Sequence, residues 1–132
     1  LLKTKNVVLV RKNTNSFKLI ENALAVATAT GTPGWEALFR GKPVLMFGSY
    51  IYQFADGVFK ITTNKDCIEA MDKIFNKNSQ PSLRSTRIFL KALEEISIPA
   101  VIDPYYVVVS KLRKSTNIKN ITDALIKEIK KL

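Results

Sequence analysis

Histidine is absent from this chain. That alone removes a Ser-His-Asp triad, a Cys-His pair and any His-ligated zinc. Cysteine is nearly absent: Cys67 stands alone, so no internal disulfide can form and no thiolate cluster can hold a metal. Proton transfer by these residues falls to Asp, Glu, Lys or Tyr, and no metal or cofactor is expected. Long apolar runs are missing too. None approaches the roughly 20 residues of a bilayer-spanning helix, and no signal peptide is expected. A lone cysteine suits a reducing compartment, so a cytoplasmic location is expected. The first residue is Leu rather than Met, which leads us to expect a piece of a longer protein.

The next thing in short supply is acid at the two ends. Overall, 21 Lys and Arg face 11 Asp and Glu, a net charge of +10. Residues 1–20 hold Lys3, Lys5, Arg11, Lys12 and Lys18 and no acid, while residues 111–132 hold seven basic and two acidic residues. Each end therefore carries +5, and residues 21–110 balance at nine against nine. Basic ends suit an anionic partner, such as a nucleotide phosphate or an anionic membrane surface, as well as a solvated lysine-rich face. Aromatic residues are not interleaved with these basic runs, which argues against nucleic acid.

With 46% hydrophobic residues in 132, the chain can bury the core of one domain. Four runs read as strands: "NVVLVR" (6–11), "AVATAT" (25–30), "PVLMFG" (43–48) and "GVFKITT" (57–63). The uncharged second run suits a strand covered on both faces. Between the runs, Phe17, Ile20 and Leu24 keep helical spacing behind Ser16 as an N-cap, and "TPGWEALFR" (32–40) reads as a short helix. Asn64 is expected to cap a helix whose stripe is Ile68, Met71 and Phe75. Alternating strands and helices with short connections predict an α/β fold, a parallel sheet of about four or more strands between helix layers. After Pro81 the pattern turns helical. Residues 82–96 carry Phe89, Leu93 and Ile96, residues 105–114 lean towards helix, and residues 117–132 carry Ile118, Ile121, Leu125, Ile129 and Leu132. No linker is long enough to argue for two domains.

The stretch "TATGTPGWEALFRGKPVLMFG" (28–48) concentrates the candidate chemistry. Thr32 fits an N-cap, Pro33 the first helical position, and Gly34 a first turn bare of side chains. Gly31 lets the chain leave the strand tightly, with a positive φ as one way to do so. A helix start of this kind, past the carboxyl end of a buried strand, is where an anion can bind. The same residues also make a sound strand-to-helix turn with no ligand. Neither the dinucleotide fingerprint nor a P-loop is present. Glu36 stands one residue too late for a capping box from Thr32. It can accept hydrogen bonds from the vicinal hydroxyls of a ribose, or pair with Arg40 on the helix surface. Gly41 is expected to end the helix in the left-handed conformation. Ser49, Tyr50 and Tyr52 follow the next strand on the same sheet edge, where the tyrosines can stack on a base, line a sugar pocket or pack into the core. Asp56, Asp66, Asp72 and Asp103 show no pairing that marks a catalytic acid or base.

The stretch "VATATGTPGWEALFRGKPVLMFGSYIY" resembles the donor-binding segment of bacterial capsule polysaccharide biosynthesis proteins, glycosyltransferases of the GT-B type related to the Kdo transferases. The similarity rests on Gly-Thr-x-Gly-Trp-Glu-Ala-Leu, Gly-Lys-Pro-Val and Phe-Gly with a nearby Tyr. It continues through "GVFKITT" and, loosely, through "PYYVVVSKL" and "NIKNITDAL". The resemblance implies a Rossmann-like three-layer domain with extra C-terminal helices, residues 1–132 forming the donor-binding half of a two-domain enzyme. Thr30, Gly31, Thr32 and Gly34 would then hold the donor phosphate and Glu36 the ribose, with Ser49, Tyr50 and Tyr52 as sugar or base contacts. No catalytic residue would lie in this chain, because the base comes from the N-terminal half. The implied partners are a CMP-linked or nucleoside-diphosphate sugar, a glycan or lipid-linked acceptor, the N-terminal domain, and the inner face of the cell membrane as a peripheral surface. Half of a sugar-nucleotide epimerase, or a basic module for nucleic acid or anionic membrane, are the competing expectations.

Overall fold

The computed structural model describes residues 5–76 and 80–132. Lys3 of the N-terminal basic run lies outside them. The chain divides into two compact units, Leu1–Phe89 and Leu90–Leu132.

The first unit is built on a parallel sheet in the order β1 (Val26–Thr28), β2 (Val44–Met46), β3 (Val58–Lys60). Val26 stands opposite Val44, and Val44 opposite Val58. Side chains alternate across a strand, so the central strand feeds both faces. Val44 and Met46 join Ile20, Ala37, Leu38, Tyr52 and Ala55 on one side. Leu45 joins Ile61, Ala70 and Ile74 on the other. Helices α1 (Ser16–Asn22) and α2 (Thr32–Leu38) bring Ile20, Ala37 and Leu38 to the first core, and α3 (Asn64–Phe75) brings Ala70 and Ile74 to the second. The first unit is thus a mixed α/β fold with helices on both faces of a parallel sheet, consistent with the expected Rossmann-like layering.

The sheet has three strands, not four or more. Residues 6–11 do not join it, and Val7, Val8, Leu9 and Val10 are all exposed. A β-branched run becomes a strand only when it finds a partner ladder, and among the described residues β1 is paired only by β2. Nor is β1 covered on both faces, since Ala27 is exposed between half-buried Val26 and Thr28.

Each of the expected N-caps is displaced by one residue. Asn15 rather than Ser16 caps α1, its Oδ1 accepting the Lys18 N–H at 3.2 Å. Gly31 rather than Thr32 precedes α2, and Thr63 rather than Asn64 caps α3. Gly31 has an extended φ of −77° instead of a positive one. Gly41 does adopt φ +65°. There Lys42 N–H donates to Ala37 O and Gly41 N–H to Leu38 O, the two bonds of a Schellman motif. The α3 stripe is rotated from the expected one. Ile68 and Phe75 are more than 60% exposed, while Ala70 and Ile74 are buried with Cys67 and Met71 packed beside them.

Helix α4 (Leu83–Ile96) begins in the first unit and ends in the second. Its buried Thr86 returns a hydroxyl bond to Ser82 O, and Phe89 packs edge-on to Trp35. In the second unit, α5 (Pro104–Val109) confirms the helical reading of residues 105–114 over its first part, and α6 (Lys114–Ile129) follows. The Asn117 side chain clamps the preceding segment, accepting Val101 N–H and donating to Val101 O, both at 2.8 Å. Because that face of α6 is turned inward, the expected stripe is largely exposed: Ile118, Leu125, Ile129 and Leu132 all are, and Ile121 is half-buried.

Candidate functional site

In a parallel sheet all carboxyl ends open on one edge. The loops at 29–31, 47–50 and 61–63 follow β1, β2 and β3 and therefore share it. Sheet hydrogen bonding continues into the first two, Phe47 N–H donating to Thr28 O and Gly48 N–H to Ala29 O, both at 2.9 Å. A Cβ on Gly48 would lie 2.6 Å from Thr30 Cγ2 and 2.7 Å from Ala29 O, so only glycine lets these loops approach so closely.

The 28–34 turn is held from inside. Thr28 Oγ1 accepts the Gly31 N–H at 3.0 Å, and Gly31 O accepts both the Gly34 N–H at 3.3 Å and the Tyr52 hydroxyl at 2.5 Å. The N–H groups of Thr30 and Thr32, both exposed residues, have no acceptor among the described residues. Gly34 is buried, and a Cβ there would meet Tyr52 Oη, Thr28 Cγ2 and Val44 Cγ1. Its glycine therefore serves helix-to-sheet packing.

Tyr52 is 1% exposed and packs against Trp35 and Tyr50. Burial, with Tyr50 beside it, raises its hydroxyl above the usual tyrosine range. It remains a proton donor that holds Gly31 O, behind the loop rather than on its open side. Tyr50 and Ser49 are exposed.

Glu36 lies one turn beyond Thr32 on the same helical face, past the first turn and half-buried. The alternative surface pair with Arg40 is not formed. Arg40 donates instead to the Glu36 backbone oxygen at 2.9 Å, approaches Glu21 at 3.9 Å and covers the Phe17 ring at 4.3 Å. The Glu36 carboxylate is left with no cationic partner among the described residues.

Two contributors were not singled out from the sequence. Lys60, at the end of β3, donates from Nζ to Gly48 O and, at 2.6 Å, to Ser49 Oγ, tying the second loop to the third strand. The one charge inside an otherwise uncharged strand run was the available signal. Thr28, whose hydroxyl closes the turn, gave none. Beside them Phe47, Ile61, Thr62, Thr63, Asn64 and Cys67 line a hollow of about 390 Å³ at the same edge.

Asp66 is committed to structure. It accepts from Thr62 N–H, Thr62 hydroxyl and Thr63 N–H while Thr63 Oγ1 accepts its own N–H, completing a capping box. These bonds, first of all the Thr62 hydroxyl, pull its carboxyl from 3.8 down to about 2. A depressed folded pKa contributes stability above the unfolded pKa and loses it as pH falls through the folded one. The Asp66 share is thus complete above about pH 5 and disappears between about pH 4 and 2. Urea unfolding at stepped pH should show Asp66→Asn less stable at neutral pH, with a shallower acid decline. Parallel pH curves for the two proteins would contradict this.

No group of acidic or sulfur side chains among the described residues could hold a metal ion. The family model of the capsule polysaccharide biosynthesis protein matches residues 1–92, which include the whole sheet and its carboxyl-edge loops. The chain belongs to this family. No curated protein and no solved structure matches it. Family membership assigns the chain a role in capsule polysaccharide synthesis, and the matched region carries every residue of the carboxyl-edge site. The described helices include none long and apolar enough to cross a membrane.

Proposed function

We propose that the first unit is the donor-binding part of a GT-B-type glycosyltransferase of capsule synthesis, taking a CMP-linked or nucleoside-diphosphate sugar. The observation that carries this reading is the coincidence of the family-matched stretch with a parallel-sheet edge where the Thr30 and Thr32 amides have no acceptor among the described residues, with the unpaired Glu36 one helical turn further on. The donor phosphate sits against the N–H groups of Thr30 and Thr32, with Gly31 in the turn between them and Gly34 letting α2 seat closely on the sheet. Glu36 accepts from ribose hydroxyls. Ser49 and Tyr50 form the outer rim, and Tyr52 holds the loop from behind. Glycosyl transfer breaks the bond from the sugar to phosphate and forms one to an acceptor hydroxyl, on a glycan or lipid-linked chain. The proton is taken by a base outside these residues, on a second Rossmann-like half. This reading places the work in the cytoplasm, at the inner face of the membrane.

Titration of the chain with CMP, UDP and GDP, followed through amide NMR shifts, tests the reading. Residues 30–36 are expected to shift with at least one nucleotide, and Trp35, the single tryptophan, supplies a fluorescence signal beside them. Glu36→Gln keeps the shape and loses a charged acceptor, weakening binding by roughly tenfold to a hundredfold with unfolding unchanged. Nucleotides that leave residues 30–36 unmoved would overturn the proposal.

A further inference from the structure

The second unit exposes apolar surface beside unpaired positive charge. In α5, Val107 is the least exposed large side chain and lines, with Val101, Leu112 and Ile118, a hollow against α6. Tyr105, Tyr106, Val108 and Val109 are between 59% and 85% exposed. The stretch from Pro104 to Thr122 contains Lys111, Arg113, Lys114 and Lys119 and no acidic residue. None of the four forms an ion pair among the described residues.

Arg113 and Lys114 occupy the N-cap and first position of α6, and Arg113 makes no capping bond. The helix dipole disfavours cations at that end. These charges work against their own helix, so an anionic partner outside it gives the physical reason for their placement. A second copy of this surface would bring the same cations together. A nucleic acid would leave the valines without an apolar partner, and the two tyrosine rings already pack edge to face on each other at 5.3 Å.

We propose that α5 and the basic stretch after it seat the second unit on an anionic membrane surface. Tyr105, Tyr106, Val108 and Val109 enter the boundary between headgroups and acyl chains, where tyrosine is favoured. Lys111, Arg113 and Lys114 meet the lipid phosphates. Attachment is peripheral, and it is independent of the nucleotide site on the first unit.

The test is co-sedimentation of the 132-residue chain with vesicles of phosphatidylcholine, with and without phosphatidylglycerol. Binding is expected only to the mixed vesicles. Each cation near such a surface contributes roughly fivefold, so Lys111→Gln, Arg113→Gln and Lys114→Gln together should lower partitioning about a hundredfold. Val108→Asp, at a position too exposed to endanger folding, should lower it about tenfold or more through lost burial and added repulsion. Equal binding to both vesicles would overturn the proposal, as would full binding by Val108→Asp. Self-association that Val108→Asp abolishes, without vesicle binding, would assign α5 to a second copy instead. Single-stranded RNA binding indifferent to Val108→Asp, again without vesicle binding, would assign the cations to nucleic acid.

Discussion

Gly34→Ala is expected to destabilise the first unit by about 1–3 kcal/mol, the usual cost of overfilling a packed site. Two effects compete. Alanine is the better helix former by about 1 kcal/mol, so on an exposed helix the change would stabilise. Here the added carbon would lie 2.6 Å from Tyr52 Oη, 2.9 Å from Thr28 Cγ2 and 3.1 Å from Val44 Cγ1. Those atoms belong to three different elements, so no single rotation relieves the contact. The Tyr52 hydroxyl cannot retreat without leaving Gly31 O. The clash wins, and α2 is pushed off the sheet, displacing Thr32 and Glu36 together. Urea unfolding followed by Trp35 fluorescence measures the loss. In a Tyr52→Phe background, which lacks the nearest atom, the same substitution should cost less. Strict additivity of the two changes would show that the hydroxyl is not what fills the site.

The second large effect is Leu38→Ala, expected to cost about 2–5 kcal/mol. Leu38 is 1% exposed and, with neighbouring Ala37, forms the inner face of α2 against Val44, Met46 and Tyr52. The seven-residue helix is too short to stand without that anchor. Truncation leaves a cavity beneath the element that carries Glu36, so nucleotide binding should weaken along with stability. In Glu36→Gln only binding falls. A Leu38→Ala protein of unchanged stability would mean that α2 is held by something other than its inner face.

Much of this was readable in advance, and the misses share causes. β2 and β3 were legible because strands in or beside the middle of a parallel sheet are apolar and bounded by Gly and Pro. Gly41 was legible because a left-handed helix end has few alternatives to glycine. The caps were each misplaced by one residue because Asn15-Ser16, Thr63-Asn64 and Gly31-Thr32 all offer adjacent residues of capping type, and backbone angles decide between neighbours. Residues 6–11 look like a strand by composition, yet strand formation needs a partner that composition cannot supply. For α3 the sequence favours the stripe of Ile68, Met71 and Phe75, whereas the sheet receives the neighbouring side that carries Ala70 and Ile74, with Cys67 and Met71 beside them.

The sequence by itself determined the α/β class, the strand-to-helix turn at residues 28–34, the Schellman end at Gly41 and the absence of histidine, cysteine-cluster and disulfide chemistry. Each depends on residue identity or on spacing within one turn or strand. Tertiary structure alone decided that Gly34 serves close packing, that Tyr52 holds the turn from behind, and that Arg40 is drawn away from Glu36. It also decided that Lys60 ties the second loop to β3. These depend on atoms brought together from positions as much as 23 residues apart. Local pattern carries no record of such meetings, because they follow from the register and layering of the whole sheet.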